Sequence, residues 1–210
     1  MKEYHKIQTV FKRDMEHGGK ALIEGQYAKP EFEYLANNPW EFTEKVDGTN
    51  IRVKWLGDTI VFGGTTDNAQ LPANLVARLH ELFPSPDVFR AAFPECDGGV
   101  CLYGEGYGAG IQKGGKYCTH QDFVLFDVNV AGWWLRRDDV KDVSEKMSLD
   151  AVPVVGEGTL ADCVKMARSG FQSSWGEFTA EGIVARPTVE LCTRNGERII
   201  TKIKHRDFQA

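Results

Sequence analysis

Glu44-Lys45-Val46-Asp47-Gly48-Thr49-Asn50 is the stretch around which the rest of this sequence can be organised. Asp-Gly is typical of a tight turn, and it follows a short run of β-forming residues, so Lys45 is predicted at the end of a strand. A nucleophilic lysine has to be neutral, whereas a reference pKa of ~10.4 leaves only about one in a few thousand neutral at pH 7. Neighbouring cations, a bound metal or a dry pocket would each favour the neutral form. Taken alone the pattern is weak, and a β-turn with an exposed lysine explains it better than a nucleophile does.

Length and composition limit the classes of protein to be considered. A chain of 210 residues that is 42% hydrophobic can bury one good core, and no change in composition marks a linker. The net charge of -5 argues against general coating of nucleic acid but permits a local basic groove. Neither a signal peptide nor an apolar run of ~20 residues is found, so we expect a soluble, cytoplasmic protein with no membrane partner. The five scattered cysteines are expected to be reduced.

Hydrophobic periodicity predicts an α+β fold built on two antiparallel β-sheets flanked by helices. Three short runs separated by turn pairs suggest a β-meander, with Lys45 at the end of its first strand. Leucines spaced by three or four residues predict a helix that ends before Pro84. Asp138 or Asp139 is expected to cap another helix, and Thr159 with Asp162 is typical of a capping box. The predicted strands are 42–46, 51–56, 59–62, 100–103, 123–130, 182–185 and 198–203, and the predicted helices begin near 71, 86, 138 and 159.

Further candidate residues follow in a fixed order along the chain. Glu105 is predicted just past an apolar strand, in Tyr103-Gly104-Glu105, where glycines permit close approach of a ligand. Phe123-Val124-Leu125-Phe126-Asp127 and Glu181-Gly182-Ile183-Val184 come next, followed by Lys202-Ile203-Lys204. Alternation in this last strand places both lysines on one face, where they can converge on one anion, and turns Ile203 inward.

This ordered set resembles the covalent nucleotidyltransferases, and among them it looks most like the ATP-dependent RNA ligases of the double-strand RNA repair type. The matching motifs span about three quarters of the chain. Asn50 favours the RNA ligases, because DNA ligases and capping enzymes usually carry arginine at that step.

The resemblance implies a nucleotidyltransferase (adenylation) domain and a reaction in three displacements at phosphorus. Lys45 would attack ATP and hold AMP, the AMP would pass to a 5'-phosphate end of RNA, and a 3'-hydroxyl would displace it to seal the strand. Mg²⁺ or Mn²⁺ would be the metal, held by Glu181, because the ligands are oxygens. The implied catalytic residues are Lys45, Lys202 and Lys204, and the implied cofactor-binding residues are Glu44, Asp47, Gly48, Asn50, Arg52, Glu105, Phe126, Val184 and Arg186.

Each of these residues also has an ordinary structural explanation. Phe126 and Val184 are typical of a hydrophobic core, Glu105 could cap a turn, and the two lysines could form a solvated strand face. Asp127 could orient a lysine. The sequence also departs from the family at Thr65, where RNA ligases of this type commonly have arginine. Arg52, Lys54 or a loop lysine could replace that charge.

Three functions therefore remain open at this level. The favoured one is an RNA ligase that acts on RNA ends or a nicked duplex as a monomer, in a single adenylation domain over residues 1–210 without a C-terminal OB or helical domain. An accessory RNA-binding protein is an alternative source of affinity for RNA. A DNA ligase or a GTP-using capping-type enzyme comes second, and a non-catalytic nucleotide- or nucleic-acid-binding module third.

Overall fold

Two five-stranded sheets organise the chain, and each belongs to a separate compact unit. The computed structural model describes residues 3–16 and 18–209. The central unit consists of Asp47–Val152 and the N-terminal residues up to His5, and the terminal unit consists of Lys6–Val46 and Pro153–Ala210. The fold is mixed α+β, with several sheets and few helices.

The strands and helices are short. The strands are β1 (Gln8–Thr9), β2 (Phe11–Arg13), β3 (Leu22–Tyr27), β4 (Trp40–Glu44), β5 (Thr49–Trp55), β6 (Ile60–Gly63), β7 (Val100–Gly108), β8 (Gln121–Val130), β9 (Trp133–Trp134), β10 (Val154–Gly158), β11 (Gly182–Pro187) and β12 (Thr201–Lys204). The helices are α1 (Pro30–Tyr34), α2 (Ala73–Leu82), α3 (Asp87–Ala92), α4 (Arg137–Lys146) and α5 (Leu160–Ser169), with short 3-10 helices at Gly114–Lys116 and His205–Phe208.

The sheet of the terminal unit has the strand order β1-β12-β11-β4-β10. Alternate residues of its strands, such as Phe42, Ile183 and Ile203, pack into one core with buried residues of α5. Thr159 and Asp162 form the predicted capping box at the start of α5, and Gly170 follows its end with φ +72°. Arg186 of β11 and Lys202 and Lys204 of β12 alternate with these core residues and therefore lie on the opposite face.

The sheet of the central unit has the order β6-β5-β7-β8-β9 and is antiparallel throughout its described pairs. Ile51, Val53 and Trp55 of β5 are buried in its core, which they share with Leu75 and Leu79 of the predicted leucine helix α2. The residues that alternate with them, Asn50, Arg52 and Lys54, therefore lie on the other face of the sheet.

The predicted β-meander is confirmed for its second and third strands, which pair as β5 and β6, and is wrong for its first strand, β4. β4 pairs with β10 and β11, whereas β5 pairs with β6 and β7, so the Asp47-Gly48 turn connects two different sheets and does not close a hairpin. Turn residues determine local chain reversal, but the partner of a strand depends on which surfaces are buried together.

Three further expectations need correction. The terminal sheet is not purely antiparallel, because β1 pairs with β12 in parallel. Glu105 does not follow a strand but lies within β7, which continues through the glycines to Gly108. Neither Asp138 nor Asp139 caps α4: both lie in its first turn, and the cap residue is Arg136.

The remaining predicted elements are confirmed to within a few residues, including α3 and the adjacent strands β11 and β12. The five cysteines are unpaired by disulfides. Within the described ranges, no helix is both long and apolar enough to cross a membrane.

Candidate active site

Lys45 lies directly after β4, at the point where the neighbouring strand β11 begins. Its backbone N–H donates to the carbonyl of Gly182 at 2.9 Å, which continues the β4–β11 pairing by one residue. Its Nζ lies 2.6 Å from Oε2 of Glu181, the residue just before β11. Antiparallel pairing thus brings together two residues that are far apart in the sequence.

Glu181 is shared between two lysines. Its second oxygen, Oε1, lies 2.5 Å from Nζ of Lys204, on the adjacent strand β12. Burial by itself raises the pKa of Glu181, but the charges and hydrogen bonds of Lys45 and Lys204 outweigh burial, and the pKa is lowered overall. The Glu181 carboxylate is therefore ionised at neutral pH and joins two cations.

Lys202 adds a third cation on the same strand as Lys204. The prediction for β12 is confirmed, because Lys202 and Lys204 are half-buried on one face while Ile203 is fully buried in the core. Burial lowers the pKa of Lys202, and the positive charges of Lys45 and Lys204 lower it further. Three lysines and one carboxylate leave this cluster with an excess of positive charge, as an anion-binding site requires.

Glu44 is held by two neighbouring serines that sequence reasoning missed. Its carboxylate is 1% exposed and accepts hydrogen bonds from Oγ of Ser173 at 2.6 Å and from the backbone N–H of Ser174 at 2.8 Å. No local pattern could have indicated this contact, because the partners are about 130 residues apart. These bonds fix the strand end that carries Lys45.

Val184 and Arg186 follow Glu181 along β11. Val184 is half-buried and pairs with Lys202, so it belongs to the same part of the sheet as the lysines. Arg186 is buried and contacts Glu190 at 3.2 Å, and Arg198 contacts the same oxygen at 3.3 Å. The structure therefore gives Arg186 a carboxylate partner within the terminal unit.

The donor set around Glu181 can be compared with the needs of a divalent cation. The described residues contain no group of three or more His, Cys, Asp or Glu side chains that could hold a metal. Mg²⁺ usually keeps several waters and binds through one or two carboxylates together with substrate phosphates. Glu181 fits a cation that is bound jointly with a nucleotide, and not one that the protein encloses by itself.

Asp47 and Gly48 belong to the central unit and are fixed by close contacts there. The backbone N–H of Asp47 donates to the hydroxyl of Tyr117 at 3.1 Å. Gly48 lies so close to β7 that an added Cβ would be 2.2 Å from the carbonyl oxygen of Gly106. Glycine is thus required for this contact, and Tyr117 is a second residue that sequence reasoning missed.

Asn50, Arg52 and Glu105 occupy neighbouring positions on one sheet face, with Asn50 opposite Glu105 and Arg52 opposite Tyr103. The Oδ1 of Asn50 is buried and has no hydrogen-bond partner among the described residues. The predicted nucleotide-binding residues of β5 and β7 are therefore adjacent, on a face whose polar groups are not fully satisfied by the protein.

Phe126 lies at an irregularity in β8. The β7–β8 register shifts there, because Gly104 pairs with Leu125 and Tyr103 with Asp127, which leaves Phe126 as the extra residue of a bulge. Tyr4 contacts Phe126 and the next residue, Asp127. The ring of Tyr4 lies 5.1 Å from that of Phe126, and its hydroxyl donates to Asp127 at 2.8 Å. The bulge thus presents Phe126 on the surface of the sheet that Tyr4 contacts.

The predicted site residues accordingly fall into two groups. The terminal unit contains Lys45, Lys202, Lys204, Glu181, Glu44, Val184 and Arg186, and the central unit contains Asp47, Gly48, Asn50, Arg52, Glu105 and Phe126. Charged groups dominate the first group. Strand pairing, close backbone contact and aromatic rings position the second.

Comparison with known proteins places this arrangement among solved folds. The chain is similar to mutants of the RNA ligase from Naegleria gruberi: one without ligand has a TM-score of 0.65 at 19% identity and covers 85% of this chain and 52% of that chain. A mutant with ATP and Mn has the same TM-score and identity and covers 85% and 54%, and one with AMP and Mn covers 83% and 52%. This chain spans about half the length of those ligase chains. No curated protein matches it.

A family comparison covers most of the chain. The model of the RNA ligase family matches residues 38–204, which include Lys45 and all the other candidate residues. The chain therefore belongs to the RNA ligase family.

Proposed function

We propose that this protein is an ATP-dependent RNA ligase that joins 5'-phosphate and 3'-hydroxyl ends through a lysyl-AMP intermediate on Lys45. The observation that carries the proposal is the direct contact of Lys45 with Glu181 and of Glu181 with Lys204. Nucleophilic attack at phosphorus requires an amine, a carboxylate that can hold a metal, and further cations. This cluster contains all three. Membership of the RNA ligase family gives this chemistry its substrate class.

In the first step Lys45 would attack the α-phosphorus of ATP. Lys45 first gives up one proton to become a neutral amine. The new P–N bond then forms as the bond to pyrophosphate breaks, and the nitrogen gives up a second proton; both protons pass to the solvent or to the departing pyrophosphate. Lys45 must therefore leave its ion pair with Glu181. Lys202 and Lys204 would then neutralise the phosphate oxygens from the same sheet face. A divalent cation held by Glu181, Mg²⁺ or Mn²⁺, would add charge neutralisation at the phosphates.

The nucleoside would be recognised mainly by the central unit. Glu105 would accept hydrogen bonds from ribose hydroxyls, and Phe126, presented by its bulge, would stack on adenine. Asn50 and Arg52 would contribute from β5, beside the Asp47-Gly48 turn. Val184 would pack against the base, and Glu44 and Arg186 are the other candidate nucleotide-binding residues on β4 and β11. The Naegleria gruberi ligase was solved with ATP and Mn and with AMP and Mn, which supports ATP as the AMP donor.

In the later steps the AMP would pass to the 5'-phosphate of an RNA end, and a 3'-hydroxyl would displace it. We propose that residues 1–210 belong to a single adenylation domain of the nucleotidyltransferase type, with two sheets flanked by helices. Binding of RNA ends or of a nicked duplex as a monomer, with or without an accessory RNA-binding protein, belongs to the same proposal. The family match favours RNA over the DNA and capping alternatives.

The test is transfer of label from α-labelled ATP to the protein in the presence of magnesium. Lys45→Ala should abolish labelling, because it removes the amine that is proposed to form the bond to phosphorus. Lys165→Ala is a matched control, because it removes an exposed lysine of the same unit. Labelling that persists in Lys45→Ala would contradict the assignment of the nucleophile.

A ligation panel then tests the substrate class. Purified protein should seal nicked RNA, and the comparison with nicked DNA, and of ATP with GTP, separates an RNA ligase from the alternatives. A protein that binds ATP but neither becomes labelled nor seals any strand would instead be a binding module.

A further inference from the structure

Arg52 is a buried cation whose hydrogen-bonding capacity is only partly used. Its side chain is 0% exposed. Its Nε donates to the carbonyl of Gly64 at 2.7 Å and its Nη2 lies 2.9 Å from Oδ1 of Asp67, but Nη1 has no hydrogen-bond partner among the described residues. A guanidinium has five N–H donors, and unsatisfied donors in the interior are unfavourable. The arginine is thus suited to an additional acceptor.

Lys54 lies two residues further along β5, on the same face. Its Nζ lies 2.8 Å from Oδ1 of Asp67, and Nη2 of Arg52 lies 2.9 Å from the same oxygen. One carboxylate oxygen is therefore shared by two cations. The side chains of both cations are largely buried, whereas that of Asp67 is 69% exposed, on the connection between β6 and α2.

The strand beside β5 does not add negative charge opposite these two cations. Cys101 pairs with Lys54 and Tyr103 pairs with Arg52. Burial raises the pKa of the Cys101 thiol and of the Tyr103 phenol, so both are neutral at physiological pH. Asp127 lies one strand further away, on β8, and accepts a hydrogen bond from Tyr4. Arg52 and Lys54 thus share the one carboxylate oxygen of Asp67, and a doubly charged phosphate would neutralise these two positive charges more completely.

We propose that Arg52 and Lys54 form a phosphate-binding subsite, and that Asp67 is an internal carboxylate that occupies this subsite until a phosphate displaces it. Arginine supplies a planar fork and lysine a point charge, the two common ways in which proteins bind phosphate. Because Asp67 is exposed on a connecting segment, it can leave the pair without uncovering the core. The source of the phosphate, ATP or the RNA end, rests on the proposed function, whereas binding itself does not.

The experiment measures the affinity of the full chain for inorganic phosphate by calorimetric titration at low ionic strength. Asp67→Asn removes the competing charge and should raise the affinity roughly three- to tenfold, as expected for the loss of one exposed ion-pairing partner. Asp58→Asn is the matched control, because Asp58 is a 99% exposed partner of Arg90 in the same unit. It removes the same charge and should leave the affinity unchanged. Lys54→Gln should lower the affinity by about tenfold.

Two results would overturn the subsite. One is an affinity of Asp67→Asn equal to that of the unaltered protein. The other is an equal increase in Asp67→Asn and Asp58→Asn, which would reveal only long-range attraction. Circular dichroism shows whether Lys54→Gln is folded. If Lys54→Gln is not folded, the phosphate affinity of Asp67→Asn tests the subsite by itself, because an exposed residue can be changed without loss of the fold.

Two further arms identify the source of the phosphate. If ATP supplies it, Lys54→Gln weakens labelling of the protein by ATP in the absence of RNA. If RNA supplies it, Lys54→Gln loses the preference for a 5'-phosphorylated over a 5'-hydroxyl oligonucleotide. If Lys54→Gln changes neither the labelling by ATP nor the preference for a 5'-phosphate, the phosphate does not come from a substrate and that assignment is overturned. The protein could bind phosphate with the expected affinities and yet never form lysyl-AMP. That result would contradict the proposed function and would leave the phosphate-binding subsite supported.

Discussion

The two units hold their candidate site residues in different ways. In the terminal unit Lys45, Glu181 and Lys204 are held mainly by opposite charges. In the central unit Gly48 is held by close backbone contact with Gly106, and Asp47 by a neutral hydrogen bond from its N–H to Tyr117.

This difference has a functional meaning under the proposed mechanism. Groups held by charge can exchange partners when phosphates arrive, as Lys45 must do before it attacks. Groups held by backbone contact are fixed when the chain folds and therefore suit recognition of a nucleoside. The central unit also contains one group held by charge, in which Asp67 pairs with Arg52 and Lys54, and the proposed subsite requires that this pairing can be exchanged.

The largest expected effect on stability concerns the Asp47-Gly48 turn of the central unit. Gly48→Ala should lower the free energy of unfolding by about 3 kcal/mol, because the new Cβ would overlap the carbonyl of Gly106 and the backbone has to move. Gly196→Ala is the control: Gly196 has φ +77° and no atom near an added Cβ, so only about 1 kcal/mol of conformational strain is expected. Urea unfolding at pH 7 measures both. Equal effects would mean that close contact does not hold the turn.

The next largest effect on stability concerns the cluster of Lys45, Glu181 and Lys204 in the terminal unit. Glu181→Gln should lower the free energy of unfolding by about 2 kcal/mol at pH 7, because Lys45 and Lys204 lose their shared carboxylate. Glu197→Gln, which removes an exposed carboxylate partner of Lys29 in the same unit, should have little effect.

The pH dependence of the Glu181 effect has a definite sign. The pKa of Glu181 is lowered in the folded state, so its stabilisation is fully present above the unfolded value of 4.5 and is lost as the pH falls through the folded pKa. The difference in unfolding free energy between the unaltered protein and Glu181→Gln should therefore shrink below about pH 4.5. A difference that is constant from pH 7 to pH 3 would contradict a charge-held cluster.

The smallest effects compare one hydroxyl from each unit. Ser173→Ala should lower the free energy of unfolding by about 1.5 kcal/mol, because the buried Glu44 carboxylate loses a donor. Tyr117→Phe should lower it by about 0.5 kcal/mol, because the neutral N–H of Asp47 loses an acceptor near the surface of a turn. Urea unfolding of the two variants measures both free energies. A larger decrease for Tyr117→Phe than for Ser173→Ala would contradict the proposed difference between the two units.

Particular residues show how far the sequence could predict the fold. The leucine spacing of α2 and the capping box of α5 are local patterns, and both helices formed where these patterns indicate. The Asp47-Gly48 turn was also local, but its role was not: it connects two sheets, because β4 and β5 bury their apolar faces in different cores. The sequence predicted that a strand ends at residue 103, just before Glu105, yet pairing with β5 and β8 extends β7 to Gly108.

The candidate site shows the same limit. Alternation was sufficient to place Lys202 and Lys204 on one face. It could not indicate Ser173 beside Glu44 or Tyr117 beside Asp47, because each contact joins segments separated by 70 residues or more.

The sequence by itself determined the order of the motifs, most of the strands and helices, and the resemblance to RNA ligases, because propensities, turns and motif spacing are properties of neighbouring residues. Only the tertiary structure decided that Glu181 joins Lys45 to Lys204, that Phe126 lies on a bulge, and that Asp67 covers Arg52 and Lys54. Strand partners, burial and the distances between charges depend on how distant segments pack. For Lys45, the sequence supplied the residue and its turn, and the fold supplied the charges around it.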